Sequence, residues 1–290
     1  MKVSNRKLFF AMLRSRKAMG LNKDMVGFAI EDTVGPVTRE DAMAYAQATN
    51  DENPVYAKNE ALIPPLFLAK LVHPLLMQLM INRDLNMNIL RMVHGQQSFR
   101  WVEPIEVGDT IEAKLLIEDL KETSAGELLE LRFTASKGDK LCGEAKVGLM
   151  VRGKSSGAKK AKKEEPVKPE PVFTIEIPTT DDQALRYAEA SGDKNFIHTS
   201  NFLAKMAGLP RTILHGMCAL AMSTNSLAAQ LADGDITRLD EISVRFASPS
   251  FPGQPLTIIG YPETEEGIPF EVQNIKGKAV LKNGLVKVKD

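Results

Sequence analysis

Residues 191–198 read SGDKNFIH, and 142 positions earlier residues 49–56 read TNDENPVY. Both keep an Asp and an Asn two apart, short polar side chains that bond to nearby backbone and shape a turn. His198 of the later copy has Tyr56 as its counterpart. The correspondence extends outward without a gap: Pro36 with Pro178, Tyr45 with Tyr187, Asn59 with Asn201, His73 with His215 and Met80 with Met222 all stand 142 apart. Farther on the offset becomes 145, where residues 99–111, FRWVEPIEVGDTI, match 244–256, VRFASPSFPGQPL, through Arg100/Arg245, Pro104/Pro249 and Gly108/Gly253. Small loop insertions account for the drift. The chain is an internal repeat. Between its copies residues 152–171, RGKSSGAKKAKKEEPVKPEP, have almost no apolar side chains to bury and read as a flexible linker. The division that follows is a basic amphipathic segment at 1–23, a first domain at 24–151, the linker, and a second domain at 172–290.

Each copy gives the same order of elements. A short polar helix at 39–49 or 181–191 starts after Thr38 or Thr180 as N-cap and stops at Asn50 or Gly192, residue types that tolerate a left-handed cap. An irregular stretch follows, then a helix at 71–81 or 213–232 that is apolar on most sides and must be surrounded by other structure. Strand-like runs close each copy, at 128–135 and 141–151 in the first and at 270–275 and 278–288 in the second, with Lys-Gly turns at 137 and 276. Asn283-Gly284 reads either as a hairpin turn or as a bulge. One apolar helix followed by an antiparallel meander implies an α+β domain, a sheet curled around a central helix, present twice.

Composition narrows the function. At 290 residues there is room for two cores. Lys plus Arg equals Asp plus Glu at 37 each, so no excess of positive charge points to nucleic acid, and no glycine loop suited to phosphates is present. Cys142 and Cys218 lie far apart and imply free thiols in a reducing compartment. The most apolar segment, 213–232, is interrupted by His215, a Ser/Thr/Asn run at 223–226 and Gln230, which is too polar for a bilayer. Residues 1–23 hold seven Lys or Arg and no acid. They read as an amphipathic helix packed on the first domain of a cytoplasmic protein, with a mitochondrial presequence as the alternative.

Residues 187–222, YAEASGDKNFIHTSNFLAKMAGLPRTILHGMCALAM, resemble the signature of the MaoC-like, hydratase-2 family of (R)-specific enoyl-CoA hydratases, through a Gly-Asp-x-Asn-x-x-His turn, small residues downstream and a His-Gly pair entering an apolar helix. Where the family often has Pro after that Asn, this chain has Phe196. The resemblance covers 178–288, and the first half resembles the family's degenerate N-terminal copy. It implies a double hot dog fold, reversible hydration of trans-2-enoyl-CoA to the (R)-3-hydroxyacyl-CoA in fatty-acid metabolism, a homodimer, and neither metal nor cofactor beyond the coenzyme A of the substrate. A carrier-protein dehydratase, a hot dog thioesterase and a non-catalytic acyl-thioester binder are the alternatives.

The residues suit that chemistry. Adding water across a conjugated thioester needs a base for water, an acid for C2 and a donor for an enolate-like oxygen. Asp193 and His198 can share the first two roles, in either order, with Asn195 holding the water or the turn. Gly216, at the start of the apolar helix, offers an unpaired N–H at the helix's positive end. In the first copy Tyr56 replaces the His, and Pro74 stands where Gly216 does and has no N–H. His215 reads as structural, because its twin His73 lies in the unarmed copy. Arg100 and Arg245 recur in both copies and read as strand or interface residues. Met77, Met80, Met87 and Met92 read as core packing or as the lining of an acyl tunnel.

Overall fold

The computed structural model describes residues 5–16, 18, 20–153 and 168–289, without the side chains of 5, 6 and 9. The first half runs α1 (Asn5–Ser15), β1 (Ala29–Val34), α2 (Arg39–Ala48), α3 (Val55–Lys58), α4 (Phe67–Ile81), β2 (Met92–Trp101), β3 (Ile111–Thr123), β4 (Gly126–Lys137) and β5 (Lys140–Arg152). The second repeats that order from β1 onward with one helix added: β6 (Phe173–Ile177), α5 (Gln183–Ser191), α6 (Phe196–Thr199), α7 (Asn201–Met206), α8 (Gly216–Leu231), β7 (Leu239–Phe246), β8 (Leu256–Gly260), β9 (Ile268–Asn274) and β10 (Ala279–Val288). Most of the expected linker, 154–167, lies outside the described residues.

The ten strands form one antiparallel sheet in the order β1-β3-β4-β5-β2-β7-β10-β9-β8-β6. That order is a palindrome of the repeat. Its centre is the pairing of β2 with β7, in register through Gln96↔Arg245, Ser98↔Ser243 and Arg100↔Glu241. Along β3 the residues Ile111, Ala113, Leu115 and Ile117 are buried while Glu112, Lys114 and Glu118 are exposed, the period of two that turns one face of a sheet inward. The inward faces wrap α4 in the first half and α8 in the second. Arg100 and Arg245 lie on the two central strands, as expected. Met80 and Met87 are buried in the core, with Met77 and Met92 packed against it. Both thiols are free and buried. The N-terminal α1 lays Ala11 into the core, and its Arg14 donates to the Ile81 carbonyl at the end of α4 at 3.1 Å.

Several local expectations change. Thr38 caps α2 by accepting from the Asp41 N–H, but α5 starts later, with Asp182 at the cap position and Thr180 bonded to its carboxylate instead. Asn50 and Gly192 do stop their helices in the left-handed region, at φ 52 and 84. Asn283, at φ 51, sits within an unbroken β10 whose pairing slips between Lys282 and Leu285, so Asn283-Gly284 is a bulge. The largest change concerns Pro74. It stands inside α4, which begins at Phe67, and not in a first turn. A proline in a helix interior costs about 3 kcal/mol, yet Leu71, Val72, Leu75 and Leu79 are all buried along that helix. Burial at about 1.5–3 kcal/mol per side chain outweighs the proline.

The halves also meet through α2 and α5. Gln183 Nε2 donates to the Ala48 carbonyl at 2.8 Å, Arg186 Nη1 to that of Gln47 at 2.8 Å, and Asn50 Nδ2 to that of Pro178 at 3.0 Å. Between them the twin residues Tyr45 and Tyr187, both fully buried, bond to each other hydroxyl to hydroxyl at 3.3 Å. Each hydroxyl is thus satisfied by its own symmetry partner. Tyr187→Phe strands the Tyr45 hydroxyl and is expected to cost about 1–3 kcal/mol in urea unfolding, whereas Tyr45→Phe with Tyr187→Phe is expected within about 1 kcal/mol of the parent.

Candidate active site

The site is built by the turn after α5. Gly192 ends the helix, and the chain then folds on its own polar side chains: the Asp193 N–H donates to Ser191 Oγ at 3.2 Å, and the Asn195 N–H to Asp193 Oδ1 at 3.2 Å. Asn195 in turn caps α6, its Oδ1 accepting from the Ile197 N–H at 3.3 Å. That oxygen is spent on the turn, leaving the amide nitrogen as the group of Asn195 that can serve a water. His198 follows on α6, where its Nδ1 lies 2.9 Å from the Ile213 carbonyl. A carbonyl only accepts, so Nδ1 carries the hydrogen and Nε2 the lone pair. The Ile213 N–H bonds back to the Ile197 carbonyl at 3.1 Å, clamping the segment before α8 onto α6.

His215 and Gly216 come next. His215 stacks on His198, ring centroids 3.7 Å apart, and its Nε2 donates to the Asp193 backbone carbonyl at 2.9 Å. Its Nδ1 is buried with no protein partner. A buried acceptor without a donor marks a place for a water or a substrate hydroxyl. Gly216 is the first residue of α8, and the helix leaves its N–H without an internal partner. A second requirement on this glycine was not legible in the sequence: a Cβ here would stand 2.7 Å from Cδ1 of Phe246. Asp193, His198, Asn195 and Gly216 therefore come from one compact stretch of structure, with His215 beside them.

Charge decides the protonation states. Burial opposes the charge on Asp193, but at low pH, where the histidines are charged, interaction with His73, His215 and His198, with the Asn195 N–H, outweighs it and holds the carboxyl below its usual range. Burial also pushes His198 and His215 down, against the pull of Asp193. At neutral pH the site is a carboxylate beside two neutral imidazoles. His73 and His94, both from the first half, complete the surroundings. His73 Cδ2 is 3.8 Å from where a Cβ on Gly192 would stand, and the Asp193 charge acts on His94, which burial pushes down to about 4. All four histidines of the chain thus interact electrostatically with one carboxylate. His73, although it lies in the unarmed copy, thus interacts electrostatically with the carboxylate of the other copy.

The first copy keeps the turn and closes it. The Asn53 N–H donates to Asp51 Oδ1 at 3.2 Å, and Asn53 Oδ1 accepts from the Val55 N–H at 2.9 Å, the same two bonds as in the second copy. There Tyr56 donates its hydroxyl to Asp51 Oδ2 at 2.6 Å, and both residues are buried. The extra turns of α4 before Pro74 remove any helix start at that position.

Asp193, His198 and His215 also place one ligand atom each within 4.8 Å, a metal set by composition. The two imidazoles of that set are stacked, rings 3.7 Å apart and 23° from parallel.

Two family profiles match the chain, the MaoC-like domain over residues 162–278 and the FAS1-like dehydratase domain region over residues 24–141. The second half of the chain thus carries a MaoC-like domain and the first half matches a dehydratase region. The chain is 31% identical to 3-hydroxyacyl-thioester dehydratase Y of Mycobacterium tuberculosis over 62% of its length and 64% of that protein's. It is 29% identical to the peroxisomal enoyl-CoA hydratase 2 of Arabidopsis thaliana, over 57% of its length and 58% of that protein's. The matches thus span less than two thirds of either relative. Among solved structures, the MaoC-like dehydratase of Phytophthora capsici superposes with a TM-score of 0.76 at 22% identity, over 92% of this chain and 98% of that one. A Mycobacterium tuberculosis protein described as a double hot dog superposes with a TM-score of 0.61 at 12% identity, over 93% of this chain and 98% of that one. These likenesses are of fold, and the fold is the double hot dog. Among the described residues no helix is long and apolar enough to cross a membrane.

Closing the first copy has a measurable energy. Burial holds the Asp51 carboxyl above its usual range, with the Tyr56 hydroxyl and the Asn53 N–H only partly offsetting it. Tyr56→Phe removes a hydrogen bond to a buried acid and is expected to cost about 1.5–3 kcal/mol at pH 7. A folded-state pKa above the unfolded one penalises stability above it and ceases to do so as pH falls below the unfolded value. Urea titrations of Tyr56→Phe should accordingly show a smaller deficit at pH 4 than at pH 7.

Proposed function

We propose that the second half hydrates trans-2-enoyl thioesters of coenzyme A reversibly to 3-hydroxyacyl thioesters, a hydro-lyase activity of fatty-acid metabolism. The observation that carries this reading is the difference between twins. Asp51 is sealed by Tyr56, whereas Asp193 is left without a side-chain seal, with His198 in reach and Gly216 opening a helix beside it. The curated relatives named above, a 3-hydroxyacyl-thioester dehydratase and an enoyl-CoA hydratase, support the same chemistry.

One proton leaves water and one arrives at C2, so a carrier between the two balances the reaction. With Asp193 ionised and His198 neutral, the pair accepts the water proton as oxygen bonds to C3. The electron pair of the double bond moves toward the thioester oxygen, where the Gly216 N–H and the positive end of α8 hold the developing charge. The proton then passes to C2 and the pair returns to its starting state. Asn195 serves the turn and, through its amide nitrogen, the water. Product stereochemistry and the choice of coenzyme A over a carrier protein rest on the resemblance to relatives.

Loss of the enoyl-thioester absorbance of crotonyl-CoA tests the reading. Parent protein should turn over, and His198→Ala should fall by about 10²- to 10⁴-fold while remaining folded. Release of free coenzyme A instead would assign a thioesterase. The pH profile gives a second check. Because His198 is held below the ordinary histidine range, kcat/KM should stay level as pH falls through about 6.5 and drop only at lower pH. Stability moves the other way over that interval: the unfolded chain takes up histidine protons that the folded one refuses, so Tm should decline as pH falls below about 6.5.

A further inference from the structure

His94 reaches the site from the other half of the chain. β2 pairs with β5 through Val93↔Met150 and His94↔Leu149, then skips a residue and resumes at Gln96↔Gly148. The unpaired Gly95 forms a bulge, a device that re-aims neighbouring side chains. Opposite it a Cβ on Gly148 would stand 2.4 Å from Gln96 Cγ, so the bulge depends on that glycine. Beyond the bulge Gln97 is buried, and its amide nitrogen donates to the Ser98 carbonyl at 2.9 Å. That bond turns Oε1 toward His94 Nε2, 3.1 Å away, and fixes the imidazole as donor there.

The His94 ring lies 4.5 Å from the ring of Phe246, centroid to centroid, tilted by 50°. Phe246 ends β7 and presses on Gly216, with Cδ1 and Cε1 2.7 and 2.8 Å from where a Cβ would be. A run of contacts therefore passes from Gln97 through His94 and Phe246 to the first N–H of α8. At the offset of 145 the second half has Leu239 in place of His94, so the first half receives no matching brace.

We propose that His94 is a positioning residue: anchored by Gln97, it braces Phe246 against Gly216 and so sets where the first N–H of α8 meets the thioester oxygen. This rests on the role given above to the Gly216 N–H. The first copy, having lost its own chemistry, then contributes the support on which the second copy's donor stands. A donor displaced by a fraction of an ångström holds the developing charge poorly while leaving most substrate contacts in place, so the loss falls on kcat and not on KM.

The test uses the full chain with crotonyl-CoA for turnover and bound cinnamoyl-CoA as a probe, since polarisation of its carbonyl moves the absorption band to longer wavelength. His94→Ala is expected to lower kcat by about tenfold or more with KM within about twofold, and to lose most of the band shift. His94→Phe, which keeps a ring against Phe246, should restore most of both. If His94→Ala does not fold, Phe246→Leu reads the same contact from the other side, with the same expected loss. Unchanged kcat and band shift in the truncated variant, or no recovery in His94→Phe, would overturn the brace. If the parent protein binds cinnamoyl-CoA with no band shift, there is no donor to position and the proposal falls. A parent that shows the shift, loses it in His94→Ala and yet hydrates nothing would uphold the brace while removing the hydratase reading.

Discussion

Asp193 is a half-buried carboxylate whose described charge partners are histidines. No described ion pair reaches this side chain. A Lys or Arg in contact would neutralise it more fully, and would also remove it from proton chemistry. Burial keeps His94, His198 and His215 uncharged near neutrality, so the histidines favour the anion through the charge they take up as pH falls. Much of the architecture serves to place those rings. α6 and α8 bring His198 and His215, α4 brings His73 across from the first half, and the bulged β2 brings His94.

Duplication makes this arrangement possible because the two copies share one sheet. The β2–β7 pairing is continuous with both flanking meanders, so the first half is held rigidly at the seam that the second half's site faces. The first copy has Tyr56 where the second has His198, and its central helix runs past the position that matches Gly216. Tyr56 also solves the problem that the vacated site leaves behind, a buried Asp51 with nothing to hydrate it. The retained Asp-x-Asn turns bond identically in both copies, which identifies that pattern as part of the fold and not of the reaction alone.

The repeat, the two central helices and the armed turn were legible because each is written in local chemistry. Asp193, Asn195 and Gly192 act on backbone within a few residues, and Gly192 ends its helix for a reason that any sequence window displays. What escaped depends on distant partners. Thr180 has the residue type of a cap, but the helix begins two residues later than that type implies, beyond Asp182. Pro74 stands near the start of the helix expected at 71–81, a usual place for proline, but the apolar residues from Phe67 onward continue the helix through it because the core rewards their burial. The contacts of His94 and His73 with the site run between residues about a hundred or more apart in the chain, and no periodicity encodes them. The only mark that His94 leaves in the sequence is Gly95 inside a strand pattern, which signals a bulge without saying what it aims.

The central claim, that two nearly identical turns divide into one that reacts and one that only folds, is tested most directly by comparing Asp51→Asn with Asp193→Asn in crotonyl-CoA hydration, normalised to folded protein. The expected result is that Asp51→Asn keeps its rate within about twofold while Asp193→Asn loses about 10²-fold or more. Comparable losses from the two variants, or no loss from Asp193→Asn, would contradict it.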